Sequence, residues 1–195
     1  MIDWLEQIDR QVVLSVNGLH TPFLDQVMWL ISSRLIWIPF YIFLLILVYR
    51  SKKKVPTILF LVSILLLVVV SDYLSVHAFK EVFQRYRPSH NLMLIDKLHF
   101  YKLSNGQYYK GGQYGFISSH AANFAAITTF FILYMREVKV KWMFFIPMIL
   151  VGFSRIYLGV HYLSDILVGY LYGGILAYIF FKLVFYKLTR KITAG

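Results

Sequence analysis

The stretch Pro56–Ala78, PTILFLVSILLLVVVSDYLSVHA, carries no charge before Asp72. A helix crosses roughly 30 Å of hydrocarbon in about 20 residues, so this run is long enough to span a bilayer. Working outward, Leu35–Tyr49 (LIWIPFYIFLLILVY) is shorter and needs residues of the preceding WLISS to cross. Ser118–Met135, Trp142–Tyr157 and Leu163–Tyr186 are further apolar runs. The expected fold is an all-α integral membrane helical bundle with about five transmembrane helices. Composition agrees: 59% of residues are hydrophobic, 18% aromatic and only 15% charged, where a soluble domain carries about 25% charge. No internal repeat, low-complexity tract or linker interrupts the chain, so residues 1–195 are expected to form a single membrane-embedded domain.

The first 33 residues set Asp3, Glu6, Asp9 and Arg10 among Ile2, Trp4, Leu5, Ile8, Val12 and Val13. That spacing predicts an amino-terminal interfacial amphipathic helix. The segment lacks the basic start, apolar middle and small-residue cleavage site of a secretory signal, so it is expected to be retained. Lys and Arg gather at Arg50–Lys54, Arg136–Lys141 and Lys187–Lys191, which share one side under a five-span plan and mark it as cytoplasmic. The amino-terminal helix, an outer loop over 79–116 and the turn around His161 then lie on the opposite face. That loop is itself basic (Lys80, Arg85, Arg87, Lys97, Lys102, Lys110). It also clusters Tyr101, Tyr108, Tyr109 and Tyr114 with Gly106, Gly111, Gly112 and Gly115. Such a loop is either a lid or headgroup reader, or a set of tyrosine anchors at headgroup level.

A formal charge of +11 and a pI near 9.8 suit anionic lipid headgroups. A nucleic-acid binder would instead need a soluble basic face, so no nucleic-acid partner is expected. The absence of cysteine excludes disulfides and thiolate metal sites. The sequence is silent on oligomeric state.

Three short blocks beside the apolar runs gather cations and imidazoles. Lys80 and Arg87-Pro88 form the first; two helical turns separate Lys80 from Arg87, so a helix continuing to Pro88 would project both from one face. Snorkelling anchors are the alternative reading. The second is Ser118-Ser119-His120, at the start of a helix whose free N–H groups and positive dipole end suit an anion; a capping serine is the alternative. The third is Ser154-Arg155 with His161 and Asp165. On one helical face, Asp165 can take the Nδ1 proton of His161 and leave Nε2 as a nucleophilic lone pair. Arg155 falls off that face, and Gly159 marks the break that swings it back. Two histidines and an aspartate also resemble a zinc set. Lys80, Arg87 and Arg155 around the same point, however, disfavour a dication and favour a phosphate dianion. Asp72, near the outer end of its span, is expected to pair with a nearby Arg or Lys.

Taken in order, K-x6-R-P, S-x-H and S-R-x5-H-x3-D resemble the three signature blocks of the type 2 phosphatidic acid phosphatase superfamily, over roughly residues 56–187. The resemblance implies a lipid phosphatase acting through a phosphohistidine on His161, oriented by Asp165, with His120 protonating the leaving oxygen and then activating water. It implies that Lys80, Arg87, Ser118, Ser119 and Arg155 hold the phosphate, with no metal and no cofactor. Candidate substrates are undecaprenyl diphosphate, lipid A phosphate, phosphatidylglycerol phosphate and phosphatidic acid, met at a plasma (inner) membrane from the periplasmic or exterior side. Ile117 and Ser119 stand where the family commonly has proline and glycine, and many integral members have six spans rather than five. Two rivals stay open: a vanadate-dependent haloperoxidase-like enzyme, whose family is soluble, and a lipid-phosphate binding or transport protein.

Overall fold

A computed structural model describes residues 3–51, 57–135 and 141–194 of the chain. Its helices are α1 (Asp3–Asn17), α2 (Pro22–Ser32), α3 (Ile38–Arg50), α4 (Thr57–Leu74), α5 (Glu81–Phe83), α6 (Ser119–Tyr134), α7 (Phe145–Tyr157), α8 (Leu163–Phe180) and α9 (Tyr186–Ala194). Each of the five expected apolar runs is helical. Thr57–Phe83 and Leu163–Arg190 are continuous through π-helical turns, and each is long and apolar enough to cross a bilayer alone. α2 and the Leu35–Arg50 helix are bent by 69° and make a third span if taken together. At 16 and 13 residues, α6 and α7 fall short of a full crossing by themselves. The side chains that face out of α4 and α8, such as Val69 and Leu171, are apolar and largely exposed, as a lipid-facing surface requires. Of the three basic clusters used to orient the chain, Lys52–Lys54 and 136–140 lie outside the described residues.

The expected amino-terminal amphipathic helix is α1, and it ends at Asn17 rather than running to residue 33. The chain turns after Asn17, and Thr21 starts α2, its hydroxyl accepting the Leu24 N–H at 3.1 Å with Pro22 in the first turn. The expected outer loop also starts later than residue 79, because the α4 helix runs on to Phe83 and stops where Gln84 adopts a left-handed φ of 47°.

α6 and α8 form the tightest pair. A Cβ on Gly173 would stand 2.1 Å from the Ala122 carbonyl oxygen, and one on Gly169 would stand 3.0 Å from that of Ser118. Glycine lets the two backbones touch, as small residues do between membrane helices. The main apolar core, with Phe60, Phe130, Phe131, Phe144, Phe181 and Phe185, lies toward the ends of α4, α6 and α8 that are remote from the three motif blocks. A second cluster, from Val13, Leu94, Leu98, Ile156, Tyr162 and Ile166, joins α1 and the outer loop to the start of α8. The motif blocks lie at that second end.

Candidate active site

α7 ends in a Schellman motif. Val160 N donates to Arg155 O at 3.2 Å, Gly159 N to Ile156 O at 2.9 Å, and Gly159 takes a φ of 68°. The expected break at Gly159 is therefore present, and it returns the chain so that His161 stands beside the last turn of α7. His161 and Asp165 are not two positions of one helical face, because α8 begins at Leu163. Asp165 is the third residue of that helix, and its Oδ2 caps it by accepting the Tyr162 N–H at 3.0 Å. The same oxygen faces His161 Nδ1 at 3.3 Å. The carboxylate fixes the helix start and the imidazole together. His161 is 1% exposed and Asp165 fully buried.

The other carboxylate oxygen meets a group that sequence reasoning left among the general loop charges. Arg85 Nη1 donates to Asp165 Oδ1 at 2.8 Å and to Ser164 Oγ at 2.7 Å, and Arg85 Nη2 donates to Asp9 Oδ2 at 2.7 Å. Asp9 also accepts from Ser164 N–H and Oγ. The spacing places Asp9 among the charges of an interfacial amphipathic helix, but it is buried, and α1 packs against α7 and α8 around it. A sequence signal existed only in Arg85 lying two residues before Arg87; nothing local marked Asp9.

Lys80 and Arg87 do not share a helix face. Lys80 ends the π-helical turn and donates to Ser119 Oγ at 2.7 Å; Ser119 Oγ also lies 2.6 Å from Ser75 Oγ. Arg87 sits beyond Gln84 in extended backbone paired with the outer loop: its N–H donates to Gln113 O at 3.1 Å, Gly115 N–H donates to Arg85 O at 2.9 Å, and its Nε donates to Tyr114 O at 3.1 Å. That pairing, rather than helical periodicity, aims Arg87 inward. Glycine permits it, since a Cβ on Gly111 would stand 2.5 Å from Arg87 Nη1, and one on Gly115 would meet Asp165, Arg87 and His161 at 3.0, 3.1 and 3.5 Å. Arg155 donates to Ser32 Oγ and, at 2.8 Å, to the hydroxyl of Tyr109; its Nε is buried with no acceptor among the described residues. Tyr109 thus brings the tyrosine-rich loop against Arg155.

Ser118 caps α6, its hydroxyl accepting the Ala121 N–H at 3.4 Å, and its own N–H donates to Asp165 O at 3.1 Å. Ser154 turns back onto its own helix, donating to Val151 O. Ile117 is fully buried, and the Phe116–Ile117 peptide bond is cis. His120, the first imidazole of α6, makes no side-chain hydrogen bond among the described residues. It lines a cleft of about 290 Å³ with Arg34, Tyr41, Leu44, Phe60, Ile64 and Phe124. Asp72 takes the Asn123 amide at 3.3 Å and, among the described residues, forms no ion pair with Arg or Lys.

Electrostatics follow from burial and crowded cations. Burial, then the charges of Arg87, Arg155 and Lys80, hold the His161 imidazole well below the usual histidine pKa. Burial and Arg155 bring Arg87 down to about 10. Burial works against the Arg85 charge as well, but Asp165 and Asp9 more than offset it and raise its pKa. A neutral imidazole backed by a carboxylate, a second imidazole and a surplus of cations is an arrangement that can attack and hold a phosphoryl group.

These features define a membrane phosphatase built on helices. The family model of the PAP2 superfamily matches residues 60–189, and the chain belongs to that superfamily. It is 36% identical over 194 residues to a lipid A 4'-phosphatase of Porphyromonas gingivalis and 30% identical to one of Bacteroides thetaiotaomicron. The alignments cover all of this chain and 80% and 82% of those proteins. Its fold is similar to the transmembrane PAP2-type phosphatidylglycerolphosphate phosphatase of Bacillus subtilis (TM-score 0.63, 22% identity, 90% of this chain and 83% of that one). It is also similar to LpxE of Aquifex aeolicus (TM-score 0.57, 24% identity, 88% and 93%). The protein is an integral membrane lipid phosphatase, a hydrolase.

Proposed function

We propose that the substrate is a lipid A phosphate and that hydrolysis runs through a phosphohistidine on His161. Similarity along the whole of this chain to two lipid A 4'-phosphatases favours this lipid over the other candidates. The observation that carries the mechanism is the buried pair His161 Nδ1 and Asp165 Oδ2, with Lys80, Arg87 and Arg155 gathered about it. Asp165 accepts a hydrogen bond from Nδ1–H of His161, and His161 Nε2 attacks phosphorus in line. The P–O bond to the lipid breaks, and His120 gives the leaving oxygen a proton. His120 then takes a proton from water, whose oxygen attacks phosphorus; the P–N bond breaks with its pair returning to Nε2, which frees phosphate and restores His161. Lys80, Arg87 and Arg155 hold the equatorial oxygens, the unpartnered Arg155 Nε supplying one donor, with the start of α6 at Ser118 and Ser119 supplying backbone dipole. The whole chain acts as one domain in a plasma (inner) membrane, with the site opening to the periplasm or exterior. That reading rests on Arg50–Lys54, Arg136–Lys141 and Lys187–Lys191 sharing one side under the five-span plan.

The test is phosphate release by purified protein from lipid A, undecaprenyl diphosphate, phosphatidylglycerol phosphate and phosphatidic acid. Lipid A is expected to give the highest kcat/KM, and EDTA is expected to leave the rate unchanged. His161→Ala, folded, is expected to lose about 10⁴-fold in kcat. Wild-type turnover by that variant overturns the mechanism; preference for another lipid overturns the substrate.

A further inference from the structure

The bend between α2 and α3 lies against the site and carries a cation that the three motif blocks do not include. Ser32, the last residue of α2, accepts from Arg155, so one side of the bend is tied to the phosphate-holding guanidinium. Arg34, two residues on, lines the same cleft as His120 and is exposed. Its guanidinium makes no hydrogen bond or ion pair among the described residues. Most other cleft residues are apolar, including Leu44, Phe60, Ile64 and Val68. A guanidinium that shares an otherwise largely apolar cleft with His120 suits the part of a lipid where headgroup meets chain. The five-donor fork of arginine suits a phosphate-class anion there.

We propose that Arg34 forms a second anion subsite, holding a further phosphate of the same lipid whose first phosphate sits among Lys80, Arg87 and Arg155. The proposal rests on the reading of the site as a lipid phosphatase and adds a specificity-determining residue to it. The second anion comes from one of two sources, the neighbouring phosphate of a diphosphate or a separate phosphate elsewhere on the headgroup. The chemistry at Arg34 is the same for both. An electrostatic hold by Arg34 on a headgroup anion is screened by salt, which distinguishes it from a packing role.

The experiment compares wild type with Arg34→Gln and Arg34→Lys on three lipids of matched chain length: a single monophosphate, a diphosphate, and a lipid carrying two separate monophosphates. The readout is the ratio of kcat/KM for each two-phosphate lipid to that for the monophosphate, at 50 mM and 500 mM salt. Arg34→Gln is expected to lower the ratio for at least one two-phosphate lipid by about tenfold at low salt, Arg34→Lys to restore most of it, and high salt to shrink the difference. Which lipid responds identifies the source of the anion. Ratios unchanged in Arg34→Gln, or a loss in Arg34→Gln that salt and lysine do not move, overturn the proposal while leaving the phosphatase reading intact. A wild-type protein that releases phosphate from none of the three overturns both.

Discussion

Replacing Arg85 by methionine keeps most of its bulk and removes the one cation between two buried carboxylates. Three hydrogen bonds go with it: to Asp165 Oδ1 at 2.8 Å, Ser164 Oγ at 2.7 Å and Asp9 Oδ2 at 2.7 Å. The side chains of Asp9 and Asp165 are 5% and 0% exposed, so neither can recover by hydration. Breaking a buried pair in this way costs about 3–5 kcal/mol, because a charge is left uncompensated. At about 2–4 °C per kcal/mol for a chain of this size, the unfolding midpoint is expected to fall by about 6–20 °C. Asp165 also loses the contact that holds its carboxylate against His161, and small misplacements of a reacting group cost up to about 10²-fold, so kcat is expected to fall more than KM rises. Adding Asp9→Asn removes one of the stranded charges. The double variant should then be more stable than the sum of the two single losses predicts, by about 0.5–3 kcal/mol. The assay is thermal unfolding in detergent followed by tryptophan fluorescence, with phosphate release measured below every midpoint. An Arg85→Met midpoint within 2 °C of wild type (the smallest shift expected from even about 1 kcal/mol), or strictly additive losses, refutes the argument that Arg85 bridges Asp9 to Asp165.

Two further outcomes follow from packing and charge. Gly173→Ala places a methyl against the Ala122 carbonyl, where an ideal Cβ stands 2.1 Å from the oxygen, so α6 and α8 must separate. A stability loss of about 1–3 kcal/mol and a drop in kcat are expected, while Gly174→Ala, with 3.6 Å to its nearest neighbour, should be near neutral; equal effects at the two positions contradict the packing account. His161, buried among cations, stays neutral as pH falls through the usual histidine pKa of about 6.5, since its folded value lies well below that. The acid limb of kcat/KM should therefore track the second ionisation of the substrate phosphate, near pH 6, and move when the leaving group changes. A limb held near pH 6.5 for every substrate would show that the imidazole itself is titrating.

The membrane class was legible in the apolar runs because spanning 30 Å of hydrocarbon needs a continuous stretch, and continuity is a one-dimensional property. The motif blocks were legible for a related reason: residue type and order along the chain carry the chemistry of an anion site. The Gly159 break was visible too, since a left-handed position favours glycine wherever it occurs. Expectations failed where local periodicity was extended past its range. The seven-residue spacing puts Arg87 on one face with Lys80 only if the helix continues, whereas Gln84 ends that helix and the 113–115 segment turns Arg87 inward. Asp9 reads as one more charge on an amphipathic face yet is buried against Arg85, and Asp72, expected to pair with a cation, takes the Asn123 amide and acts on Lys80 by charge without an ion pair to Arg or Lys among the described residues.

By itself, then, the sequence determined the solvent this protein folds in, the helices that solvent demands, and the chemical inventory of the site. Which charges become partners follows from packing alone. Asp9 and Asp165 lie at opposite ends of the chain and meet only because α1 packs across the start of α8, where Arg85 joins them. Salt bridges, clefts and the 69° bend that sets Arg34 beside His120 depend on distances between distant segments, and no local pattern encodes those distances.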